Sequence, residues 1–140
     1  MEKLAIACDH GGYALKEAVK ERFSGKVEFI DLGTNSNDSV DYPEYGQALA
    51  KSIINGDVTR GILICGTGIG ISIAANRFSE IRAALCTDVT MAKLTRAHND
   101  ANVLALGARI VGEEVAFDIV DAFLTTEFEG GRHLNRIKKL

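Results

Sequence analysis

The chain has 140 residues, of which 46% are hydrophobic and 25% are charged, and it contains one proline. Such a composition is typical of a compact globular protein and excludes a mainly disordered or fibrous chain. The formal net charge is −3 without a long run of like charges, which argues against nucleic acid or a membrane surface as the partner. Because neither half alone would bury an adequate core, we expect residues 1–140 to form one domain that binds a small molecule or a protein.

The cysteines and the lack of targeting segments indicate the compartment. No stretch approaches the roughly 18 consecutive apolar residues of a membrane-spanning helix, and the first residues lack the layout of a signal peptide. Cys8, Cys65 and Cys86 form no Cys-x-x-Cys pair, and an odd number argues against a disulfide framework. We expect three free thiols and a cytoplasmic location.

The first half of the chain alternates short apolar runs with helical patterns. The predicted elements are a strand over 3–8, a helix with Leu15, Val19 and Phe23 on its apolar face, a strand over 27–31 and a helix from Tyr42 to Asn55. The turn after the first strand reads Asp9-His10-Gly11-Gly12. Residues 33–41 are polar and form the longest predicted loop, and long loops in small domains are usually functional.

The second half repeats this alternation. The predicted elements are a strand over 61–65, a glycine loop over 66–70, a helix over 72–78, a strand over 81–86, a helix over 89–96, a strand over 102–106 and a helix from about Glu113 to Leu124. Residues 125–140 read as a polar tail with a basic end. Five strands separated by helices predict right-handed crossovers, and therefore a doubly wound α/β fold with a parallel sheet.

The glycine loop is the sharpest local signal. Three glycines over 66–70 can turn backbone amides toward one point at a helix amino terminus, which suits an anion. The loop is not a nucleotide motif, because it lacks the P-loop Lys-Ser/Thr and Ile71 replaces the third glycine of G-x-G-x-x-G. A tight packing turn is the alternative. Cys65 directly before the loop favours function, since the helix dipole and nearby amides favour a thiolate, whereas Cys8 and Cys86 lack such a loop and are interpreted as buried, inert thiols.

Two of the three histidines are expected at the carboxyl edge of the sheet, where ligands of open parallel sheets bind. His98 follows a predicted helix, and Asn99 and Asp100 after it suit an exposed acid or base. The alternative is a cation that only interacts with the helix carboxyl terminus. His10 beside Asp9 is either an oriented imidazole or a polar pair in a turn. A metal site is disfavoured, because the histidines and acids show no close ligand spacing.

Three arginines are candidate anion ligands. Arg132 and Arg136 are four residues apart, and if the tail is helical they lie on one face as a fork for a phosphate or carboxylate. The alternative is a solvated basic tail. Arg109 follows the fifth predicted strand and is a further cation at the same edge.

Five segments, taken in order, carry a family resemblance: CDHGG (8–12), DYP (41–43), ILICGTGIGISIAANR (62–77), RAHNDANVLALGAR (96–109) and EGGRHLNR (129–136). Together they closely resemble the ribose-5-phosphate isomerase B family, which includes allose-6-phosphate and galactose-6-phosphate isomerases. The resemblance implies a Rossmann-like three-layer α/β/α sandwich with a five-stranded parallel sheet. It also implies an aldose–ketose isomerase that uses no metal and no cofactor, in a homodimer or dimer of dimers with active sites shared between subunits.

The resemblance gives four residues chemical roles in interconverting D-ribose 5-phosphate and D-ribulose 5-phosphate through a cis-enediolate. His98 is the acid and base of ring opening, Cys65 moves the carbon-bound proton, and Thr67 helps to move protons between substrate oxygens. Asp9 contacts sugar hydroxyls. The loop amides face the enediolate, where one lost donor typically costs about 10²–10³ in rate; they belong to Gly66, Gly68, Ile69 and Gly70.

Spacing alone would assign the glycine loop to the phosphate, but the resemblance assigns the phosphate to four cations, namely His10, Arg109, Arg132 and Arg136. Asn99 is then a sugar contact and Tyr42 a pocket residue. A phosphate held far from the reacting carbons supplies the binding energy that positions them.

Two alternatives remain open at this point. One is a hexose 6-phosphate isomerase for allose or galactose, with the same chemistry and a roomier pocket. The other is a non-catalytic sugar-phosphate-binding module that uses the same glycine loop.

Overall fold

The computed structural model describes all 140 residues. The strands are β1 (Glu2–Cys8), β2 (Val27–Asp31), β3 (Arg60–Cys65), β4 (Ala83–Leu85) and β5 (Val103–Gly107). The helices are α1 (Tyr13–Arg22), α2 (Tyr42–Ile54), α3 (Ile69–Asn76), α4 (Val89–Asn99), α5 (Glu113–Thr125) and α6 (Arg132–Ile137), and a 3₁₀ turn over His10–Gly12 precedes α1.

The five strands form one parallel sheet in the order β2-β1-β3-β5-β4. After β1 the chain moves to one side of the sheet, and after β3 it moves to the other. The carboxyl ends of β1 and β3 therefore flank a topological switch point, which is where open parallel sheets bind their ligands. The predicted strand number, parallel sheet and doubly wound class are confirmed.

Helices cover both faces of the sheet, because each strand carries apolar side chains on both sides. In β3, Ile62 and Ile64 belong to the core cluster that includes residues of α1, α4 and α5. Leu63 faces the other way, into the cluster formed with α2 and α3. The result is the expected three-layer sandwich, and none of its helices combines the length and hydropathy needed to cross a bilayer.

Several element boundaries differ from the predicted ones for local reasons. α3 begins at Ile69, inside the glycine loop, because Gly68 before it adopts a left-handed conformation with φ +78°. α4 continues to Asn99 and ends where Asp100 turns left-handed, with φ 45°. β4 has only three residues, and the predicted tail contains α6. His98, Asn99, Arg132 and Arg136 therefore all lie on helices.

Candidate active site

Cys65 ends β3, and the glycine loop that follows directs an amide at its sulfur. The backbone nitrogen of Gly68 donates a hydrogen bond to Cys65 Sγ at 3.1 Å, and Cys65 is only 4% exposed. The loop requires glycine at 68, since a Cβ there would lie 2.6 Å from Leu85 Cδ1 and 2.8 Å from the Leu106 carbonyl carbon. The loop geometry therefore places one hydrogen-bond donor directly at the Cys65 sulfur.

The rest of the glycine loop is partly committed to internal hydrogen bonds. The amide of Ile69 donates to Thr67 Oγ1 at 3.2 Å, and the amide of Gly68 donates to the Cys65 sulfur. Thr67 itself is exposed at the rim, two residues after Cys65. Because two loop amides already face protein atoms, the predicted oxyanion hole depends on those of Gly66 and Gly70, or on rearrangement when substrate binds.

Asp9 and His10 follow β1 on the other side of the switch point. Asp9 is 8% exposed, and its Oδ1 accepts hydrogen bonds from the amides of Gly11 at 2.9 Å and Gly12 at 3.2 Å. His10 Nδ1 accepts a hydrogen bond from the backbone nitrogen of Val40 at 3.1 Å. The neutral ring therefore carries its proton on Nε2, which is left as a donor for a ligand.

A buried lysine that the sequence analysis missed holds the loop that carries Val40. Lys16 Nζ has no solvent exposure and donates to Asp31 Oδ1 at 2.7 Å, to the Thr34 carbonyl at 2.7 Å and to Asn35 Oδ1 at 3.0 Å. In the sequence, the burial of Lys16 could have been inferred only from its position next to the apolar residues of α1. The lysine thus supports His10 indirectly, through the path of the loop between β2 and α2.

The pKa of Asp31 is set by the hydrogen-bond donors around its carboxylate, which we call the clamp. Burial by itself would raise the pKa of Asp31, but hydrogen bonds from Lys16, Lys20 and the Gly33 amide outweigh it, and the pKa is lowered. Asp31 is therefore a carboxylate across the usual working range of pH.

Tyr42 and Arg109 lie next to the glycine loop at the carboxyl edge of the sheet. The Tyr42 ring lies so near the start of α3 that a Cβ on Gly70 would come within 2.6 Å of it. The Arg109 side chain passes 3.6 Å from the corresponding position on Gly66, and its amide donates to the Gly66 carbonyl at 2.9 Å. We call the predicted residues gathered here the carboxyl-edge cluster: Asp9, His10, Tyr42, Cys65, Gly66, Thr67, Gly68, Ile69, Gly70 and Arg109.

Four predicted residues do not join this cluster, namely His98, Asn99, Arg132 and Arg136. α4 runs from the carboxyl end of β4 to the amino end of β5, so its last residues lie at the amino edge of the sheet. Arg82, which precedes β4, donates from Nε to the Asn99 carbonyl at 3.1 Å. Along β5 the two edges are about 13 Å apart at roughly 3.3 Å per residue. The expectation that His98 lies at the carboxyl edge is therefore wrong, because a helix between parallel strands returns the chain to the opposite edge.

At the amino edge, His98 packs against a residue that had no predicted role. Its ring stacks on the ring of His133, with centroids 4.3 Å apart and planes at 14°. His133 Nε2 lies 3.5 Å from Glu129 Oε1, and His98 Nε2 lies 4.0 Å from the same oxygen. The four-residue spacing of Glu129 and His133 was visible in the sequence, but their proximity to His98 depends on the packing of α6 against α4. We call these three residues together with Asn99, Arg132 and Arg136 the amino-edge cluster.

This arrangement corrects the argument that the histidines and acidic residues are too far apart to form a cluster of metal ligands. His98, Glu129 and His133 offer two imidazole nitrogens and one carboxylate oxygen, and these atoms lie within 4.8 Å of one another. No close set of three ligands was visible in the sequence, because only Glu129 and His133 are near each other and the two histidines are 35 positions apart. His98, Asn99 and Arg136 also line one cavity of about 230 Å³.

The predicted phosphate ligands divide between the two edges. His10 and Arg109 belong to the carboxyl-edge cluster, whereas Arg132 and Arg136 belong to α6 at the other edge. One copy of the chain therefore does not surround a single phosphate with all four predicted ligands.

The two other cysteines behave as expected from the sequence. Cys8 and Cys86 are buried free thiols, and burial raises the pKa of each to about 11. Neither is ionised near neutral pH, so Cys65 is the thiol whose surroundings suit chemistry.

Comparison with known proteins identifies close relatives. The family model described as Ribose/Galactose Isomerase matches residues 4–140. Ribose-5-phosphate isomerase B of Escherichia coli is 51% identical, over 100% of this chain and 95% of the relative. The structure of Clostridium thermocellum ribose-5-phosphate isomerase B has a TM-score of 0.96 and 53% identity, covering 98% of this chain and 93% of the other.

A third comparison includes a bound sugar phosphate. Ribose-5-phosphate isomerase B of Mycoplasma genitalium with bound ribulose-5-phosphate has a TM-score of 0.92 and 42% identity, covering 98% of this chain and 92% of the other. The resemblance drawn from the five sequence segments is thus confirmed by sequence and by fold. The chain belongs to the ribose/galactose isomerase family.

Proposed function

We propose that residues 1–140 form one sugar-phosphate isomerase domain that interconverts D-ribose 5-phosphate and D-ribulose 5-phosphate without a metal or cofactor. The observation that carries this proposal is the buried thiol of Cys65, which accepts a hydrogen bond from the Gly68 amide at the switch point of the sheet. The E. coli relative with 51% identity bears the name of this activity, and the M. genitalium neighbour is described with ribulose-5-phosphate bound.

The proposed chemistry begins with opening of the aldose ring. His98 gives a proton to the ring oxygen and takes one from the anomeric hydroxyl, so the imidazole ends as it began. Cys65 then removes the proton on C2 to form the cis-enediolate and returns it to C1. Thr67 moves the proton between the oxygens on C1 and C2, and Asp9 binds sugar hydroxyls.

We propose a homodimer in which each site combines the carboxyl-edge cluster of one protomer with the amino-edge cluster of its partner. The two clusters lie at opposite edges of one chain, so ring opening and proton transfer on one sugar require two copies. Exposed apolar side chains lie near both clusters. Ile69 and Ile73 are on α3, which begins in the glycine loop, and Met91 and Leu94 are on α4, which ends with His98 and Asn99. Such exposed apolar surface suits a protein interface. A dimer of dimers would preserve the same shared sites.

Sharing also completes the phosphate site. His10 and Arg109 would approach the phosphate from one protomer, and Arg132 and Arg136 from the partner. Asn99 of the amino-edge cluster and Tyr42 of the carboxyl-edge cluster would contact the sugar between them.

A subunit-mixing experiment tests the shared site. Cys65→Ser and His98→Asn each remove one group from both sites of a homodimer, and each should leave little turnover of ribose 5-phosphate. In a mixed dimer one site is intact and the other lacks both groups, so random mixing should restore about a quarter of the wild-type activity. No recovery, with mixed dimers verified by mass, would contradict the shared site.

Two rival functions are separated by substrate and by affinity. Faster turnover of allose 6-phosphate or galactose 6-phosphate than of ribose 5-phosphate would favour a hexose phosphate isomerase. A non-catalytic binding module would bind sugar phosphate without turnover, and Cys65→Ser would then change nothing. Under the proposed function, Cys65→Ser abolishes turnover and leaves ligand affinity largely intact. A cytoplasmic location stays a prediction.

A further inference from the structure

Glu129 and His133 are held beside His98 by contacts that the proposed isomerisation does not use. The Glu129 amide donates to the Ala97 carbonyl at 3.0 Å, and Arg96 Nε donates to the Thr126 carbonyl at 3.2 Å. Both bonds tie the segment between α5 and α6 to the end of α4. The backbone of Glu129 is therefore fixed beside the end of α4, and its carboxylate lies within reach of two imidazoles.

The three ligand atoms suit one class of cation. Two imidazole nitrogens and one carboxylate oxygen are the donors of zinc sites that keep a fourth position open. In a tetrahedral site with bonds of about 2.0–2.2 Å, neighbouring ligand atoms lie roughly 3.3 Å apart. The Nε2 atoms of His133 and His98 lie 3.5 and 4.0 Å from Glu129 Oε1, and all three atoms lie within 4.8 Å of one another.

To bind one ion, the His98 ring must turn out of its stack on His133, because two stacked rings at 14° cannot both direct an in-plane lone pair at one point. His98 is partly exposed at the end of α4, with 40% of its side chain accessible, and Glu129 is more exposed still at 60%. Both side chains therefore have room to reorient around the buried His133. Arg136 lines the same cavity, and its charge opposes cations that bind by charge alone. Nitrogen donors favour zinc, nickel and copper over magnesium and calcium.

We propose that His98, Glu129 and His133 bind a divalent cation of the zinc class, and that the bound cation inhibits the enzyme by occupying His98 Nε2. Coordination uses the lone pair of that nitrogen, so His98 can no longer accept a proton during ring opening. The inhibition rests on the proposed function, whereas the binding does not. Conversion of ribose 5-phosphate, which must open its ring, should be inhibited more than conversion of ribulose 5-phosphate, which has no furanose ring to open.

Calorimetric titration with zinc chloride in a non-chelating buffer tests binding without reference to activity. The wild-type protein should bind one zinc ion per chain, and Glu129→Gln and His133→Asn should each weaken binding at least about 10-fold. Glu129 is exposed, so Glu129→Gln keeps the test valid if His133→Asn folds poorly. Glu127→Gln is a matched control, because it removes an exposed carboxylate from the same segment that is not one of the three ligands, and it should bind zinc as the wild type does. Magnesium chloride should give no binding signal.

Absence of zinc binding to the wild type, or loss of it in a control instead of in Glu129→Gln, would overturn the site. For the second part, zinc should slow turnover of ribose 5-phosphate, and EDTA should restore the rate. Zinc that binds with unchanged rates would overturn the inhibition while leaving the isomerase activity intact. An inactive protein that still binds zinc would instead contradict the proposed function, so the two failures are distinguishable.

Discussion

Replacing Gly68 by alanine tests whether the glycine loop is built to direct its amide at Cys65. Gly68 has φ +78°, and a Cβ there would approach Leu85 Cδ1 to 2.6 Å and the backbone of Leu106 to 2.8 Å. Gly56 is a matched control, since it has φ +82° and nothing within 4 Å of its Cβ position. The two substitutions share the backbone strain and differ in the collision.

The expected magnitudes follow from these contacts. Alanine in the left-handed region costs about 1–2 kcal/mol, so Gly56→Ala should lower the free energy of unfolding by that amount. Gly68→Ala adds an overpacking cost of about 1–3 kcal/mol, because the colliding atoms include backbone. Part of that cost can be relieved only by moving the loop, and this displaces the amide from Sγ. The same displacement moves the neighbouring amides of Gly66 and Gly70 that would face the enediolate, and losing one such donor typically costs about 10²–10³ in rate.

Urea denaturation followed by circular dichroism, at one fixed protein concentration, gives the two stabilities. Initial rates with ribose 5-phosphate give kcat for each variant. Gly68→Ala should be less stable than Gly56→Ala and should lose most of its kcat, while Gly56→Ala turns over as the wild type does. Wild-type kcat in Gly68→Ala would refute the role of the loop, and equal stability of the two variants would refute the collision.

Three further outcomes are expected. Because the pKa of Asp31 is lowered in the folded state, the stability it contributes is present above its unfolded pKa of about 3.9 and is lost as pH falls below it; Asp31→Asn should flatten this acid dependence in urea titrations, and an unchanged pH profile would contradict the clamp. Iodoacetamide should modify Cys65 before Cys8 and Cys86, whose buried thiols have pKa values raised to about 11, and peptide mass mapping that finds equal labelling would refute this. Arg136→Ala should raise KM by about 10- to 100-fold for ribose 5-phosphate but not for unphosphorylated ribose, and equal losses would exclude a phosphate contact.

The amino-acid sequence determined the fold class because its signals are local. Alternation of apolar runs with helical patterns predicts a doubly wound sheet, and four of the five apolar runs form the expected strand to within one residue at each end, whereas the run over 81–86 is a strand only over Ala83–Leu85. The glycine loop after Cys65 was likewise readable, since glycines next to a strand end restrict where the backbone can go. Boundaries were less accurate where a single residue ends an element, as Asp100 does for α4.

Only the tertiary structure decided which predicted residues are neighbours. The opposite-edge placement of Cys65 and His98 was implicit in the predicted parallel sheet, because a helix between parallel strands returns the chain to the amino edge. His133, in contrast, meets His98 only when α6 packs on α4, and the burial of Lys16 depends on the loop folded over it. Local patterns specify elements, whereas proximity across the sheet arises from packing between segments far apart in the chain.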